Sequence, residues 1–313
     1  MQIREGTEAD IPEIISVLKA SLGESRLPKT EDVWRYKHHL NPFGPSYIIL
    51  ALLDQKIIGV RAFMKWEWRK RDTVFSALRA VDTGVLPEYQ GKGVFRTLNS
   101  AGLELAKRRG NHFIFNTPND KSLPANLKMG WNKIDKLKIC LLPRKFNIWG
   151  SDKAEEYKGT NNISAINFEK LLYEHEKTQS RGGKFFIPKS PEYLKWRYNH
   201  NPLQEYIVIE SNDFYLSAYK KNHNSFSELR IAEHIFYNSN GHNKIKNSIK
   251  CISKRLKPDF ITYSSELNLS PFQVSGKFGP ILVYKNNNLD FGTEKGLGSL
   301  KNWSYTLGDL ELF

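Results

Sequence analysis

Apolar positions first recur at Ile14, Ile15, Val17, Leu18 and Leu22, a three-and-four spacing that predicts an amphipathic helix. Its start is marked by Asp10 as N-cap, Pro12 in the first turn and Glu13 at the capping-box position. A second helix covers Glu31 to His39 and stops before Asn41-Pro42, because proline disfavours helical geometry in the residue before it. The pattern then turns strand-like over Tyr47–Leu53, Ile57–Trp68 and Thr73–Leu86, and the short polar turns between these runs predict an antiparallel meander. Beyond Pro87 a helical period returns through Leu98, Leu103 and Leu105 and ends at Gly110. A strand at His112–Thr117, a short helix at Leu123–Met129 and one strand from Asn132 to Pro143 complete the block, which Gln2–Glu5 opens as a first strand.

The same order restarts in the second half. Trp34-Arg35-Tyr36 with Asn41-Pro42 is echoed by Trp196-Arg197-Tyr198 with Asn201-Pro202, about 160 positions later and so about one domain length away. ALRAVDTGV from Ala77 is echoed by ELRIAEHIF from Glu228, the helix and strand after Phe95 by those after Asn243, and LKMGWNKI by SGKFGPIL. Each match is weak alone, but all fall in one order, which is the mark of an internal duplication. Helices are expected at Phe168–Leu172 and from Ser190-Pro191-Glu192, and strands at Tyr206–Glu210 and Phe214–Lys221. The expected organisation is a first domain at 1–145, a polar linker at 146–162 and a second domain at 163–313. The fold class is α+β, with a mixed, mainly antiparallel sheet flanked by helices in each domain.

Composition narrows the function without naming it. The 313 residues carry a formal net charge of +14, which favours anionic partners such as phosphates or nucleotides. The densest basic run, Lys65–Arg71, reads as an exposed hairpin tip, with no nucleic-acid motif beside it. Cys140 and Cys251 lie in apolar or helix-like runs and read as small core residues; no His or Cys pair has metal-ligand spacing, so no metal is expected. No apolar run is long enough to span a bilayer and the first residues lack an apolar signal core, so a cytoplasmic protein is expected.

The informative chemistry is at Val85-Leu86-Pro87-Glu88-Tyr89-Gln90-Gly91-Lys92-Gly93-Val94-Phe95, between a strand and a helix. Gly91 and Gly93 let the backbone turn tightly, and the first amides of the helix have no internal partners. With the positive end of the helix dipole, those amides suit a phosphate or pyrophosphate; Lys92 adds a cation and Gln90 a side-chain donor. The stretch is neither a Walker loop nor a Rossmann fingerprint, since no Gly-Lys-Ser/Thr follows and the third glycine is missing.

Val85-x-Pro87 followed by Tyr89-Gln90-Gly91-Lys92-Gly93 resembles the acyl-CoA signature of the GNAT acyltransferase superfamily, and Asn119–Trp131 resembles its later motif. The resemblance implies two tandem GNAT-like domains, of which the first binds acetyl-CoA. It implies backbone amides of Gln90, Gly91, Lys92, Gly93, Val94 and Phe95 on the pyrophosphate, the strand edge Thr83-Gly84-Val85 along the pantetheine arm, and Asn119 and Ser122 on its other side. Two departures stand out: Phe95 replaces a small residue, and Asn126 occupies the place of the tyrosine that often protonates the leaving thiolate. For a base, Asp82 is the first candidate and Glu67 the second. The second half keeps only Gly241 where the first has its glycine turn, so a copy without a CoA cradle is expected. WRY…NP and the ending Gly308-Asp309 also resemble GNAT-like proteins of surface-polysaccharide gene clusters, which implies an amino sugar or its nucleotide as acceptor. An acetyltransferase acting on an amine leads, ahead of a non-catalytic acyl-CoA or sugar-binding module and of a Fem-like aminoacyl transferase using tRNA.

Overall fold

The computed structural model describes residues 1–23, 28–120, 122–144 and 164–310; the expected linker lies outside the described residues. The chain divides into two compact units. The first comprises residues 1–68, 73–135 and 281–299, the second 69–72, 136–280 and 300–313.

In the first unit, β1 (Gln2–Glu5) leads to helices α1 (Ile11–Leu22) and α2 (Glu31–His38). The meander follows as β2 (Tyr47–Leu53), β3 (Lys56–Lys70) and β4 (Thr73–Val85), then α3 (Val94–Arg108), β5 (Phe113–Asn116), α4 (Leu123–Lys128) and β6 (Asn132–Lys136). β2 is apolar at nearly every position because both of its faces are covered, so it reads as a continuous run rather than an alternation. Asp10 caps differently from the expectation. It is the partner of Thr7 in a capping box one turn earlier, on a 3-10 turn at Glu8–Asp10, and Glu13 instead accepts the Ile57 amide at 2.8 Å.

The second unit repeats the plan with β7 (Ile139–Pro143), α5 (Ala165–Gly182) and α6 (Pro191–Leu194), which runs on into a π turn at Lys195–Asn199. β8 (Ile207–Glu210), β9 (Phe214–Asn222) and β10 (Ser227–Phe236) form its meander, before α7 (Ser239–Leu256), β11 (Phe260–Ser264) and β12 (Val274–Gly276). The chain ends through β13 (Ile281–Asn286), α8 (Phe291–Leu297) and α9 (Leu307–Leu310). The basic run at Lys65–Arg71 is not an open tip throughout: Trp66 and Trp68 are buried, and Arg69 exchanges both backbone bonds with Phe186. Among the described residues no helix is long and apolar enough to cross a membrane.

The sheets show what contiguous boundaries at 145 and 163 miss. Their strand orders are β1-β2-β3-β4-β5-β13-β6 and β12-β7-β11-β10-β9-β8. The last strand of each half therefore lies in the other half's sheet: β13 pairs with β5 from Val283↔Asn116 to Asn286↔Phe113, and β7 with β11 from Phe260↔Pro143 to Ser264↔Ile139. The strand expected over Asn132–Pro143 is accordingly broken at Leu137-Lys138. Leu137 exchanges backbone bonds with Gly279 and Pro280, and the Lys138 amide donates to the Tyr305 hydroxyl.

A chain cut in the linker leaves each sheet without an interior strand and with unpaired edges where β13 or β7 belongs. Residues 1–145 expressed alone should show poor amide dispersion in NMR spectra, and co-expression with 146–313 should restore a native-like complex. Independent folding of 1–145 to a well-dispersed monomer would contradict this exchange.

Candidate active site

β4 and β5 are parallel and paired only at Ala77↔Phe113, Leu78↔Ile114 and Arg79↔Phe115. β4 then continues to Val85 while β5 stops at Asn116, so the edge carrying Thr83, Gly84 and Val85 runs on past its neighbour. An extended ligand can add to such an edge through main-chain hydrogen bonds.

Eight residues, Leu86–Gly93, join this edge to α3. Gly91 (φ 73°) and Gly93 (φ 83°) both adopt left-handed geometry and have open space where a Cβ would stand. The amides of Gly91, Lys92, Gly93, Val94 and Phe95 have no acceptor among the described residues, and α3 begins its own bonding only with Thr97 N–H to Gly93 O. They stand at the positive end of a 15-residue helix, an arrangement that suits an anion. Gln90 plays a different part from the one expected: its amide donates to Pro87 O, and its side chain donates to Val85 O at 3.0 Å, bracing the turn from within. Lys92 is exposed, its ammonium 5.5 Å from the Tyr89 ring centre.

Beneath the turn lies Arg61, a buried cation on β3 that the sequence reading missed. Its guanidinium donates to the hydroxyl of Thr83 and, at 3.4 Å, to the side chain of Asn99, and it stands 5.5 Å from the Phe95 ring centre. Burial lowers its pKa to about 10, and no carboxylate pairs with it among the described residues. Phe95, noted above as a departure from a small residue, thus forms an aromatic face for this cation.

Asp82 sits at an irregular point of β4 with φ 38°, a strained value for a residue with a Cβ. Its Oδ2 takes the ammonium of Lys37 and, at 3.0 Å, Nε2 of His38, whose Nδ1 lies 2.9 Å from the Ser46 hydroxyl. Burial alone would raise the Asp82 pKa, but Lys37 and His38 outweigh it and hold the carboxylate well below the usual range. Burial lowers the pKa of His38, so its imidazole is neutral at pH 7. A carboxylate held this firmly in its ionised form is a weak proton acceptor. Lys37 and His38 were given no role in the sequence beyond their place in the second helix. The signal was the His following Trp34 by four positions on α2, where the two rings meet tilted, with centres 4.0 Å apart.

The other expected residues separate. Glu67 lies on β3, six positions nearer the hairpin turn than Arg61, which at ~3.3 Å per residue is roughly 20 Å along the strand. The structure does not bring Glu67 to Asp82. Asn119 and Ser122 are tied together, Oδ1 of Asn119 accepting the Ser122 amide at 2.9 Å and its hydroxyl at 3.0 Å. Asn126 is 1% exposed, and neither atom of its side-chain amide has a partner. An unpaired buried amide is costly, and its persistence asks what it bonds.

The second unit keeps the strand geometry and loses the turn. β10 and β11 pair as Glu228↔Phe260, Leu229↔Ile261 and Arg230↔Thr262, the same parallel triplet as in the first unit. Only Tyr237 and Asn238 join β10 to α7, and the Asn238 side chain caps that helix by accepting the Gly241 amide at 2.9 Å. A register shift between Ile231 and Glu233 falls at the counterpart of Asp82. Glu233 is buried there, accepting from Lys189 Nζ at 2.8 Å and from the Tyr198 hydroxyl at 3.0 Å.

Residues 2–134 match the family model described as an acetyltransferase (GNAT) domain. No curated protein matches the chain. Several solved structures do. One is a conserved protein of unknown function from Enterococcus faecalis, titled a probable N-acyltransferase (TM-score 0.68, 10% identity, 91% of this chain and 72% of that one covered). A GCN5-related N-acetyltransferase from Anabaena variabilis is similar at TM-score 0.64 and 13% identity, covering 92% and 73%. Eis1 from Mycobacterium abscessus follows at 0.56 and 12%, covering 95% and 75%. At these identities the structures speak for the fold: α+β, with two mixed sheets consistent with tandem GNAT-like domains. The first unit is a GNAT acetyltransferase domain. The match is to residues 2–134 and speaks for that domain, whose fold implies acetyl-CoA as co-substrate.

Two buried histidines, His38 and His234, and the half-buried His175 set the acid side of the stability profile. Burial lowers the pKa of His38, of His175 to about 4 and of His234 to about 3. Their unfolded forms titrate near 6.5, so the unfolded chain binds more protons below that value and stability falls as pH drops from 7 to 5. The depressed carboxylate of Asp82 acts the same way but only below about pH 4. The melting temperature should therefore fall steadily between pH 7 and 5 in differential scanning fluorimetry; a flat or rising profile would contradict the buried neutral state of these rings.

Proposed function

We propose that the first unit binds acetyl-CoA across the Gly91–Phe95 turn and the β4 edge and that the enzyme passes the acyl group to an amine, the acceptor being an amino sugar or its nucleotide. The observation that carries this reading is the set of five unpartnered amides, Gly91 to Phe95, at the positive end of α3. Arg61, without a carboxylate beside it, adds positive charge under the same turn and favours a donor bearing phosphates. In this reading Thr83, Gly84 and Val85 offer the strand edge to the pantetheine arm, and an amide on that edge stabilises the oxyanion as the amine attacks. Asn119 and Ser122 border the arm from the other side. Asn126 donates its buried amide to the departing sulfur, which replaces proton donation by a neutral hydrogen bond. Asp82 serves as a fixed negative charge, and the proton of the incoming ammonium leaves to water rather than to this carboxylate; Glu67 takes no part.

The domain roles follow. The first unit is the acyl-CoA-binding domain, and the second is a copy without a cradle, because its two-residue turn lacks the paired glycines and its Asn238 side chain occupies the Gly241 amide. The amino-sugar acceptor rests on WRY…NP and Gly308-Asp309, the stretches that resemble proteins of surface-polysaccharide clusters. A second reading, an acyl-CoA-binding module without turnover, is favoured by the absence of an ionisable group at Asn126.

Gly93→Glu places a carboxylate and a strained Cβ in the cradle, each opposing an anion there. It should weaken acetyl-CoA binding in calorimetry about a hundredfold, or ~2.7 kcal/mol, with the melting temperature little changed. Unaltered affinity would remove the cradle from the site. Asn126→Leu discards an orphan amide whose burial costs about 1–3 kcal/mol, so the variant should melt at or above the wild-type temperature while acyl transfer to an amine panel drops at least about tenfold. Full activity in that variant would leave Asn126 without a role in the reaction.

A further inference from the structure

The second unit has a cavity where its own strands diverge. Beyond Arg230↔Thr262, β10 and β11 no longer pair, and a cavity of about 280 Å³ lies against the last residues of β10, His234 and Phe236. It holds roughly nine waters at about 30 Å³ each, too little for a CoA but enough for one small ring. α5 contributes His175, Thr178 and Gln179 to its wall, and the chain end contributes Ser304, Thr306 and Asp309.

The charges in that wall are already spent on one another. Lys189 is held between Glu233 and Asp309, Asp309 also accepts the Thr306 amide at 2.9 Å, and Glu266 pairs with Lys184 at 2.9 Å. The same cluster gathers both stretches singled out in the second half of the sequence. Tyr198 bonds Glu233, Arg197 donates to Gly308 O at 3.2 Å, and a Cβ on Gly308 would stand 2.0 Å from the Tyr198 hydroxyl oxygen. Arg197 is 2% exposed whereas the side chain of its counterpart Arg35 is 41% exposed, so the two copies of Trp-Arg-Tyr share their rings but not the work of their arginine.

What remains to meet a ligand is neutral. Two lining residues keep a buried polar atom without a partner, Nδ1 of His234 and Oγ1 of Thr306, while Nε2 of His234 meets the Ser264 hydroxyl at 3.0 Å. Burial keeps both His175 and His234 uncharged at pH 7. A neutral imidazole and a hydroxyl each donate and accept, which is the complement of a ligand hydroxyl. Phe186, Phe236 and Tyr305 supply aromatic faces against which an apolar ring face can lie. An anion finds no unpaired cation in this wall and a cation no unpaired carboxylate. The larger hollow of about 840 Å³ along Lys195–Glu210 is a groove beside the edge strand β8, and none of its lining side chains is a buried orphan.

We infer that the second unit holds a small, neutral, polyhydroxylated molecule, one sugar ring in size, in the cavity between β10, α5 and the Ser304–Asp309 segment. The site is independent of acetyl-CoA binding and of the reaction proposed for the first unit.

The test uses the full-length chain without acetyl-CoA and titrates glucose, galactose, mannose and N-acetylglucosamine up to about 10 mM, which fills a millimolar site, with saturation-transfer NMR as readout. At least one sugar should bind saturably. Thr306→Val, which removes only the orphan hydroxyl, and His234→Phe should each weaken that binding at least tenfold. Acetyl-CoA affinity is measured on the same samples, so retained acetyl-CoA binding shows that both variants are folded. Sugar binding that responds to both variants supports the cavity site whether or not acetyl-CoA binds. No saturable binding by any of the four sugars, binding unchanged in both variants, or displacement of the sugar by CoA would each overturn it.

Discussion

β5 is held on both sides, and everything at the candidate site depends on how. On one side it runs parallel to β4 for three residue pairs; on the other it is antiparallel to β13, a strand from the far end of the chain. Because β13 follows β5 and not β4, the last residues of β4 run on past the end of the neighbouring strand and leave an edge. The cradle at the start of α3 stands at the end of that edge. A strand some 170 positions later therefore shapes the place where a ligand's chain can lie.

The two units share this plan down to the register and differ in one connection. Eight residues join strand to helix in the first unit and two in the second. The long connection places two glycines at positive φ and leaves five amides open; the short one lets Asn238 cap its helix directly. Both units also keep an acid at the same irregular point of the strand, half-buried Asp82 with Lys37 and His38, buried Glu233 with Lys189 and Tyr198. In the first unit the charge of Lys37 and the hydrogen bond from His38 win and Asp82 stays ionised; in the second, burial outweighs Lys189 and pushes the Glu233 pKa up.

Much of this was legible from local pattern. The glycine turn, the meander and the repeat announce themselves because each depends on neighbours in sequence: positive φ, alternation, spacing. The exchanged strands were not legible, since Asn132–Pro143 reads as one strand and only bonds from Leu137 and Lys138 to Gly279, Pro280 and Tyr305 break it. Gln90 was credited with a donor to a ligand, but its side chain braces Val85, a choice set by backbone geometry. Arg61 and Lys37 look like ordinary surface cations in a basic chain; only the burial of β3 and α2 makes them part of the site. Glu67 was named for its charge and strand, and the length of β3 places it far from Asp82.

The central claim is that one of two copies of the same fold binds acetyl-CoA, through the open amides of a single turn. Amide hydrogen exchange read by mass spectrometry, with and without saturating CoA, tests it most directly. The account predicts slowed exchange in peptides covering Gly91–Thr97 and none in peptides covering Ser239–Lys244. No protection at the first turn, or protection at the second, would contradict it.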